Sequence, residues 1–295
     1  VSGNPLTKQE RDYDEYYFSL GKIFDINKIK YNLINECNDY SPTSKDNILR
    51  KLKKTSKALL VYFPYKNDSK KIYAKDKDFD DFDVCLGIMP RRGYLSHYSA
   101  MFLHNLTYQV PKEFFITSEN KHIQKKHSDE YNPFHIEQVF MKSPRSTKNV
   151  MMLKDSRFIF LIKVSIENLG LIEVAIENTG KKVTITDLER TLLDVSESPH
   201  YSGGINAVIE TWKKTKGQID ISKLKKYYNK MNYFYPYWQR IGFLIEKCWG
   251  ENEANKWMDF FGRPIHEFYI DREFKLDWLE SKKWKIRYPK GLLDE

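Results

Sequence analysis

GYLSHYSAMFLHNLTYQVPKEFFIT, from Gly93 to Thr117, and ITDLERTLLDVSESPHYSGG, from Ile185 to Gly204, decide how this chain is read. The first opens on a Gly-Tyr turn and a serine, Ser96, placed to cap a helix that carries Ala100, Met101 and Leu103. That helix stops before Pro111 and an apolar run follows, so the stretch predicts helix, loop, strand. In the second, Thr186 and Glu189 have the spacing of a capping box, while Leu188, Leu192 and Val195 share one helical stripe. Ser198, Pro199 and the pair Gly203 and Gly204 break the pattern, which predicts a capped helix halting at a turn.

A chain of 295 residues suffices for one large domain or two ordinary ones. At that length roughly 75% of the unfolded surface can be buried, so no covalent staple is needed. Cys37, Cys85 and Cys248 are odd in number and lack paired spacing, which argues against a disulfide framework or a structural zinc site and fits a reducing cytoplasm. No apolar run is long enough for a bilayer, and VSGNPLTKQERDYDEYY at the start has no signal-peptide core, so export by that route is not expected. Lys and Arg number 49 against 40 Asp and Glu, a net charge of +9 with a pI near 9.1. This balance favours a polyanionic partner, and the distribution of the charge has to decide. Aromatic residues make up 15%, which suits an aromatic-rich core before a stacking surface.

Tyr13, Tyr16, Tyr17, Leu20 and Phe24 recur at helical spacing and predict a first helix from Asp12 to Phe24. Asp25 is placed to cap a second, with Ile26, Ile29, Leu33 and Ile34, ending in a turn at Asn38, Asp39 and Pro42. A third starts near Thr43 or Ser44, turns Ile48, Leu49 and Leu52 inward, and leaves Lys45, Asn47, Arg50, Lys51, Lys53 and Lys54 outside. ALLVYFPY and KKIYA then flank Lys66, Asn67, Asp68 and Ser69 as a hairpin with a loose turn. Short helices, a basic third helix and a hairpin form the pattern of a winged helix-turn-helix. Such a helix can meet phosphates through Lys and base edges through Asn or Arg, with Lys66, Lys70 and Lys71 of the wing on the flanking backbone. The plainer alternative is a solvated basic helix.

KDKDFDDFD, from Lys75 to Asp83, lacks the glycine and terminal glutamate of a calcium loop and reads as an acidic linker that caps a helix holding Val84, Leu86 and Ile88. The boundary is placed between Asp76 and Pro90, giving an N-terminal domain over 1–82 and a second over 83–295. His97 and His104 are seven positions apart on one helix, about 10 Å along its axis, too far to share a metal ion, so buried hydrogen bonds are the expected role. Ser118 to Pro133, with Lys121, His122, Lys125, Lys126 and His127, reads as a long exposed loop. HIEQVFMK, RFIFLIKVSI and LIEVAIEN are strand-like, with turns at Asn168, Leu169, Gly170 and at Asn178, Thr179, Gly180, which predicts an antiparallel sheet. Arg190 and Asp194, one helical turn apart, are expected to pair as a structural clasp. Helices continue from Ile205 to about Phe261, with a junction of Tyr233, Phe234, Tyr235, Tyr237 and Trp238 around Pro236, and a strand closes the chain at Trp284 to Tyr288.

Together the two opening stretches resemble the C-terminal part of the AbiEi antitoxin family, known from type IV toxin-antitoxin systems that limit phage propagation in bacteria. The matching residues are Gly93, Tyr94, Ser96, His97, Ser99, Ala100, His104, Leu106 and Thr107 in the first, and Glu189, Arg190, Asp194, Gly203 and Gly204 in the second. Asn105 stands where a small residue is commoner, and the fit runs roughly from Asp83 to Pro289. The resemblance implies a winged-helix module that binds operator DNA, ahead of a larger α+β domain of antiparallel sheet and helices. That larger domain would counteract a nucleotidyltransferase toxin without needing a stable complex, and Tyr94, Ser96, His97, His104, Glu189, Arg190, Asp194, Gly203 and Gly204 would be structural or toxin-antagonising. The alternative is a stand-alone defence or interaction protein on the same fold.

Catalysis is not expected. Nucleotidyl transfer needs a Gly-Ser loop followed by metal-binding carboxylates, and Ser202, Gly203 and Gly204 have none after them. Glu173, Glu177 and Lys181 are the nearest approach to a nuclease set, but Lys181 falls in a turn and the spacing is wrong. No serine or cysteine stands in an elbow-like glycine frame. Neither a metal nor a cofactor is expected.

Overall fold

The structure is a computed structural model that describes residues 6–75, 77–121, 133–176, 179–272 and 277–293, with the backbone alone for 133–136. The fold is α+β. In chain order come α1 (Lys8–Ser19), β1 (Ile23–Phe24), α2 (Ile26–Asn35), α3 (Pro42–Thr55), β2 (Lys57–Phe63), β3 (Asp68–Ala74), α4 (Asp81–Ile88), β4 (Gly93–Leu95), α5 (His97–Leu103) and β5 (Glu113–Asn120). There follow α6 (Pro133–Phe140), β6 (Val150–Leu153), β7 (Ser156–Val164), β8 (Leu171–Ala175), β9 (Lys182–Thr186), α7 (Leu188–Glu197), α8 (Gly204–Lys214), α9 (Ile221–Met231), α10 (Tyr237–Cys248) and α11 (Glu251–Phe261). The chain closes with β10 (Phe268–Tyr269), β11 (Trp278–Ser281) and β12 (Ile286–Pro289). None of the described helices is long and apolar enough to cross a membrane. Two compact units emerge, Val1–Arg91 with Lys148–Ile159, and Arg92–Thr147 with Phe160–Glu295.

In the first unit each helix starts on a side chain that satisfies an otherwise orphaned backbone N–H. Thr7 and Glu10 close a capping box on α1, Asp25 accepts from Asn27 N–H at 2.8 Å on α2, and Ser41 accepts from Ser44 N–H at 3.1 Å on α3. Tyr13, Tyr16, Ile29, Leu33, Ile48 and Leu52 form the core between these helices. β2 and β3 make the hairpin the sequence predicts, in register from Lys57 opposite Ala74 to Phe63 opposite Asp68. The first helix is shorter than its spacing suggests: Leu20 turns extended and Phe24 pairs with Tyr73 as a strand residue. Strand order in this unit is β1-β3-β2-β6-β7.

The expected boundary at 82 is displaced to Arg91, because α4 belongs to the first unit. Asp80 and Asp83 do cap α4, as the acidic run implies, but Val84 and Cys85 are buried and Gly87 lies against β1. A Cβ at Gly87 would fall 2.4 Å from the Ile23 carbonyl oxygen, so only glycine permits this approach. A second correction is that 148–159 returns to this unit, with Met152 opposite Tyr62.

In the second unit the strand order is β7-β5-β4-β9-β8. This sheet is mixed, not purely antiparallel: β4 pairs antiparallel with β5 and parallel with β9, Leu95 lying opposite both Ile116 and Ile185. A smaller sheet, β10-β12-β11, also has one parallel and one antiparallel pair. Trp212, Trp257, Trp284, Phe243, Leu192 and Leu244 occupy the core around helices α7 to α11, which confirms packing as the use of most aromatic residues here. HIEQVFMK is helical, not a strand; Ile136, Val139 and Phe140 stand at i, i+3 and i+4, and the Phe140 ring lies 4.7 Å from that of Phe268. Asn178, Glu177, His122, Lys125, Lys126 and His127 lie outside the described residues.

Candidate functional site

On α3 one stripe is exposed: Thr43, Asp46, Arg50, Lys53 and Lys54, spaced three and four apart. Lys45 and Lys51 are half-buried, and the Lys51 ammonium stands 4.9 Å over the Tyr13 ring. Asn47 departs from the expectation that it faces outward. It is 7% exposed, its Nδ2 donates to the Gln9 carbonyl at 3.3 Å, and its Oδ1 accepts from Arg50 Nη2 at 3.2 Å. The position borders the Ile48 stripe, so its amide is spent on joining α3 to α1. On the hairpin Lys66, Lys70 and Lys71 are exposed, with Lys66 and Lys70 5.7 and 5.5 Å from the Phe63 ring. Arg50, Lys53, Lys54 and the hairpin lysines therefore remain available to a polyanion.

Of the motif residues of the second unit, Tyr94, Ser96, His97, Glu189, Arg190 and Asp194 are buried, His104 and Gly204 are half-buried and Gly203 is exposed. Arg190 is fully enclosed on α7; its Nε donates to Asp194 Oδ1 at 3.1 Å, Nη1 to the Leu169 carbonyl at 3.0 Å and Nη2 to Tyr94 Oη at 3.3 Å. Tyr94, from β4, donates in turn to Glu119 of β5. Lys163 of β7 reaches the same Asp194 oxygen at 2.8 Å and Glu197 at 2.9 Å. The expected Arg190–Asp194 clasp is present, and the helix is held by it to β4, β7 and the turn before β8.

Around this clasp the caps differ from expectation. Asp187, not Thr186, caps α7, its Oδ1 accepting from Arg190 N–H at 2.9 Å. Asp does this better than Thr, and Thr186 is instead bonded to Thr191 at 2.7 Å. Glu189 accepts from Asp220 N–H at 3.1 Å and from Lys223 at 2.7 Å, and Lys223 also meets Asp187 at 3.0 Å. Ser96 precedes α5, but its hydroxyl bonds Thr117 at 2.6 Å and His97 Nδ1 at 2.8 Å instead of the helix backbone. His104 Nε2 donates to the Thr186 carbonyl at 2.7 Å, a hydrogen bond that is part-buried where a buried one is expected. Gly203 and Gly204 have φ of +82° and +85° at the start of α8.

Burial alone would raise the Asp194 carboxyl, yet Arg190 and Lys163 hold it well below the usual range. Burial, and then the nearby Lys163 charge, lowers His97 to about 3, so its ring is neutral near pH 7. Asp194 Oδ2 and His97 Nε2 are both buried without a hydrogen-bond partner among the described residues. The described residues contain no group of three His, Cys, Asp or Glu able to hold a metal. Glu173 is exposed and pairs with Lys182 at 3.4 Å. The arrangement compensates charge inside the unit, with Arg190 and Lys163 set against Asp194 and Glu197.

Lys163, Glu197, Asp187 and Lys223 complete the cluster and were not singled out by their pattern, whereas Gly170, which also belongs to it, lies in the expected turn. Two carried a signal: Lys163 is the lone charge within FIFLIKV, and Asp187 directly precedes the helix. Gly170 has φ of +66°, and a Cβ there would lie 2.8 Å from both Arg190 Cβ and the Tyr227 ring, so it is fixed by the clasp.

No family model matches the chain, and no curated protein does. Among solved structures the chain is similar to the crystal structure of the RV2827C protein from Mycobacterium tuberculosis, at 8% identity, with a TM-score of 0.54 over 97% of this chain and 92% of that one. At that identity the likeness is one of fold, and it takes in nearly the full length of both.

Proposed function

We propose that this protein is an antitoxin-like transcriptional regulator of a bacterial phage-defence system, binding operator DNA through its first unit and counteracting a nucleotidyltransferase toxin through its second, without catalysis of its own. The observation that carries the DNA reading is the exposed stripe Arg50, Lys53 and Lys54 on α3, directly followed by a hairpin bearing Lys66, Lys70 and Lys71. The order helix, strand, helix, helix, hairpin, with β1 paired to β3, supports a winged helix-turn-helix whose third helix enters the major groove. Lys and Arg on such a helix supply the sequence-independent attraction to phosphates, and Arg adds a two-pronged contact to guanine. Antitoxin action rests on the AbiEi-like motif. Because Tyr94, Ser96, His97, Arg190 and Asp194 are buried, their part in it is to shape the unit that meets the toxin.

The test is a salt titration of binding to the chain's own upstream promoter fragment and to scrambled DNA. Arg50→Ala should cost about 1 to 3 kcal/mol on the promoter and relax discrimination at one position. Lys54→Ala should weaken both DNAs alike and reduce the salt slope by about one, leaving toxin neutralisation intact. Equal, weak binding to both DNAs, unaltered by either substitution, overturns the reading in favour of a stand-alone interaction protein.

A further inference from the structure

The sheet of the first unit buries one face and leaves part of the other open. The register of β3, β2, β6 and β7 places Lys71, Ser69, Leu60, Tyr62, Met152 and Arg157 on one side, and Ile72, Val61, Met151 and Phe158, all buried, on the other. On the first side Phe24 lies in the core of α1 to α3 and Tyr73 packs against it, but beyond them Leu60 is 65% and Tyr62 41% exposed. Leu60 stands about 7 Å along the strand from Tyr62, and Met152 stands directly across from it. Apolar side chains that adjoin in this way on a surface mark a binding site, where single scattered ones do not.

The chemistry around the patch selects its occupant. Tyr62 Oη donates to Asn67 Oδ1 at 3.3 Å, which ties the side chain to the hairpin turn, and among the described residues no ring or cation lies on the Tyr62 ring. The adjacent Phe63, by contrast, already has Lys66 and Lys70 at 5.7 and 5.5 Å. Lys71 is exposed and has no carboxylate partner among the described residues. None of β2, β3 and β6 directs a carboxylate to this side, so a second copy of the chain docked face to face would bring cations against cations. An uncovered ring with apolar neighbours and an unpaired lysine suits a single-stranded nucleic acid, whose bases stack while its phosphates meet the cation. Ser69 lies directly opposite Tyr62, so a hydroxyl stands beside the stacked base, where a ribose 2′-OH can bond it.

We propose that this open sheet face binds single-stranded RNA. Tyr62 and Leu60 carry successive bases, Lys71 meets the backbone, and Ser69 bonds a ribose hydroxyl. The surface shares only Lys71 with the operator reading and does not rest on it.

The experiment is fluorescence anisotropy of the full chain with a short labelled RNA of mixed sequence, the matching single-stranded DNA, and the promoter duplex. Saturable RNA binding is expected, tighter than that of the matching DNA. Tyr62→Ala should weaken RNA at least ~5-fold, the lower end of what one stacked base is worth, and leave the promoter duplex bound as before. Tyr62→Phe keeps the ring and should bind RNA as the parent does, while Leu60→Glu, at an exposed position that leaves the fold intact, should abolish RNA binding. Arg50→Ala should leave RNA affinity unchanged, which separates this surface from the α3 stripe. Absence of saturable RNA binding overturns the proposal, as does equal affinity for the single-stranded DNA or RNA affinity unmoved by Tyr62→Ala. A Tyr62→Ala loss shared equally by the promoter duplex would return the face to the operator interface, and a dimer split by Leu60→Glu would assign it to a second copy; either result overturns the proposal too.

Discussion

The two units use charge in opposite ways. In the first, Arg50, Lys53, Lys54, Lys66, Lys70 and Lys71 are exposed, and Arg50 makes one bond, to Asn47 of its own helix; in the second, Arg190, Asp194, Lys163 and Glu197 are packed among side chains and hold a helix to strands and a turn. Exposed cations contribute little to stability, so their removal should leave the fold standing. Buried charges cost several kcal/mol each to desolvate, so removal of one strands the other. The contrast separates residues that read as interface from residues that read as framework, even where both belong to a recognisable pattern.

The largest expected effect is on the framework side. Arg190→Met should destabilise the protein by about 3 to 5 kcal/mol in urea unfolding, because Asp194 is left with Lys163 alone. Adding Asp194→Leu should recover much of the loss, since Lys163 keeps Glu197; a double variant no better than the single would show that packing, not charge, sets the cost. Gly170→Ala should cost about 3 kcal/mol, from the positive φ and the collision with the Arg190 and Tyr227 side chains. A loss under half of that would mean that the clasp yields locally.

Acid should expose the same framework. Folded, His97 stays neutral down to about pH 3, whereas an unfolded ring takes a proton near 6.5, so the unfolded state binds more protons across that window. Stability therefore falls as pH falls from 6.5, by up to about 1.4 kcal/mol per pH unit from this ring. The depressed Asp194 carboxyl adds its loss only below about pH 4, where the unfolded group protonates. His97→Asn should flatten the slope between pH 6.5 and 4 by one proton's worth; an unchanged slope would assign it to His104 and His200, both also lowered by burial.

Smaller effects sharpen the outer side of the comparison. Asn47→Ala should cost about 1 kcal/mol of stability through the lost bonds to Gln9 and Arg50, with DNA selectivity retained. Altered discrimination at constant stability would return Asn47 to the interface. Lys53→Ala with Lys54→Ala should move the unfolding free energy by less than about 0.5 kcal/mol while weakening DNA binding, which would fix the stripe as purely outward.

Local chemistry determined a good deal of this molecule from its sequence. Asp25 before Ile26, the acidic run that caps α4 through Asp80 and Asp83, and the i, i+4 relation of Arg190 and Asp194 are short-range relations, and each appears as the residues imply; the hairpin also forms, but its turn falls at 64–67 and not at 66–69, with Asp68 and Ser69 already in β3. Composition and apolar period sufficed for α+β and for the helices after Ile205. What only the tertiary structure decided involves residues far apart in the chain. The return of 148–159 to the first unit, the parallel pairing of Leu95 with Ile185, and the convergence of Lys163, Tyr94 and the Leu169 carbonyl on α7 depend on which surfaces meet, and no local period encodes that. Asn47 shows the same limit within one helix. Its polarity suits solvent, but its angle on α3 faces α1, and burial with a hydrogen bond is decided by the neighbouring helix and not by the side chain's own preference.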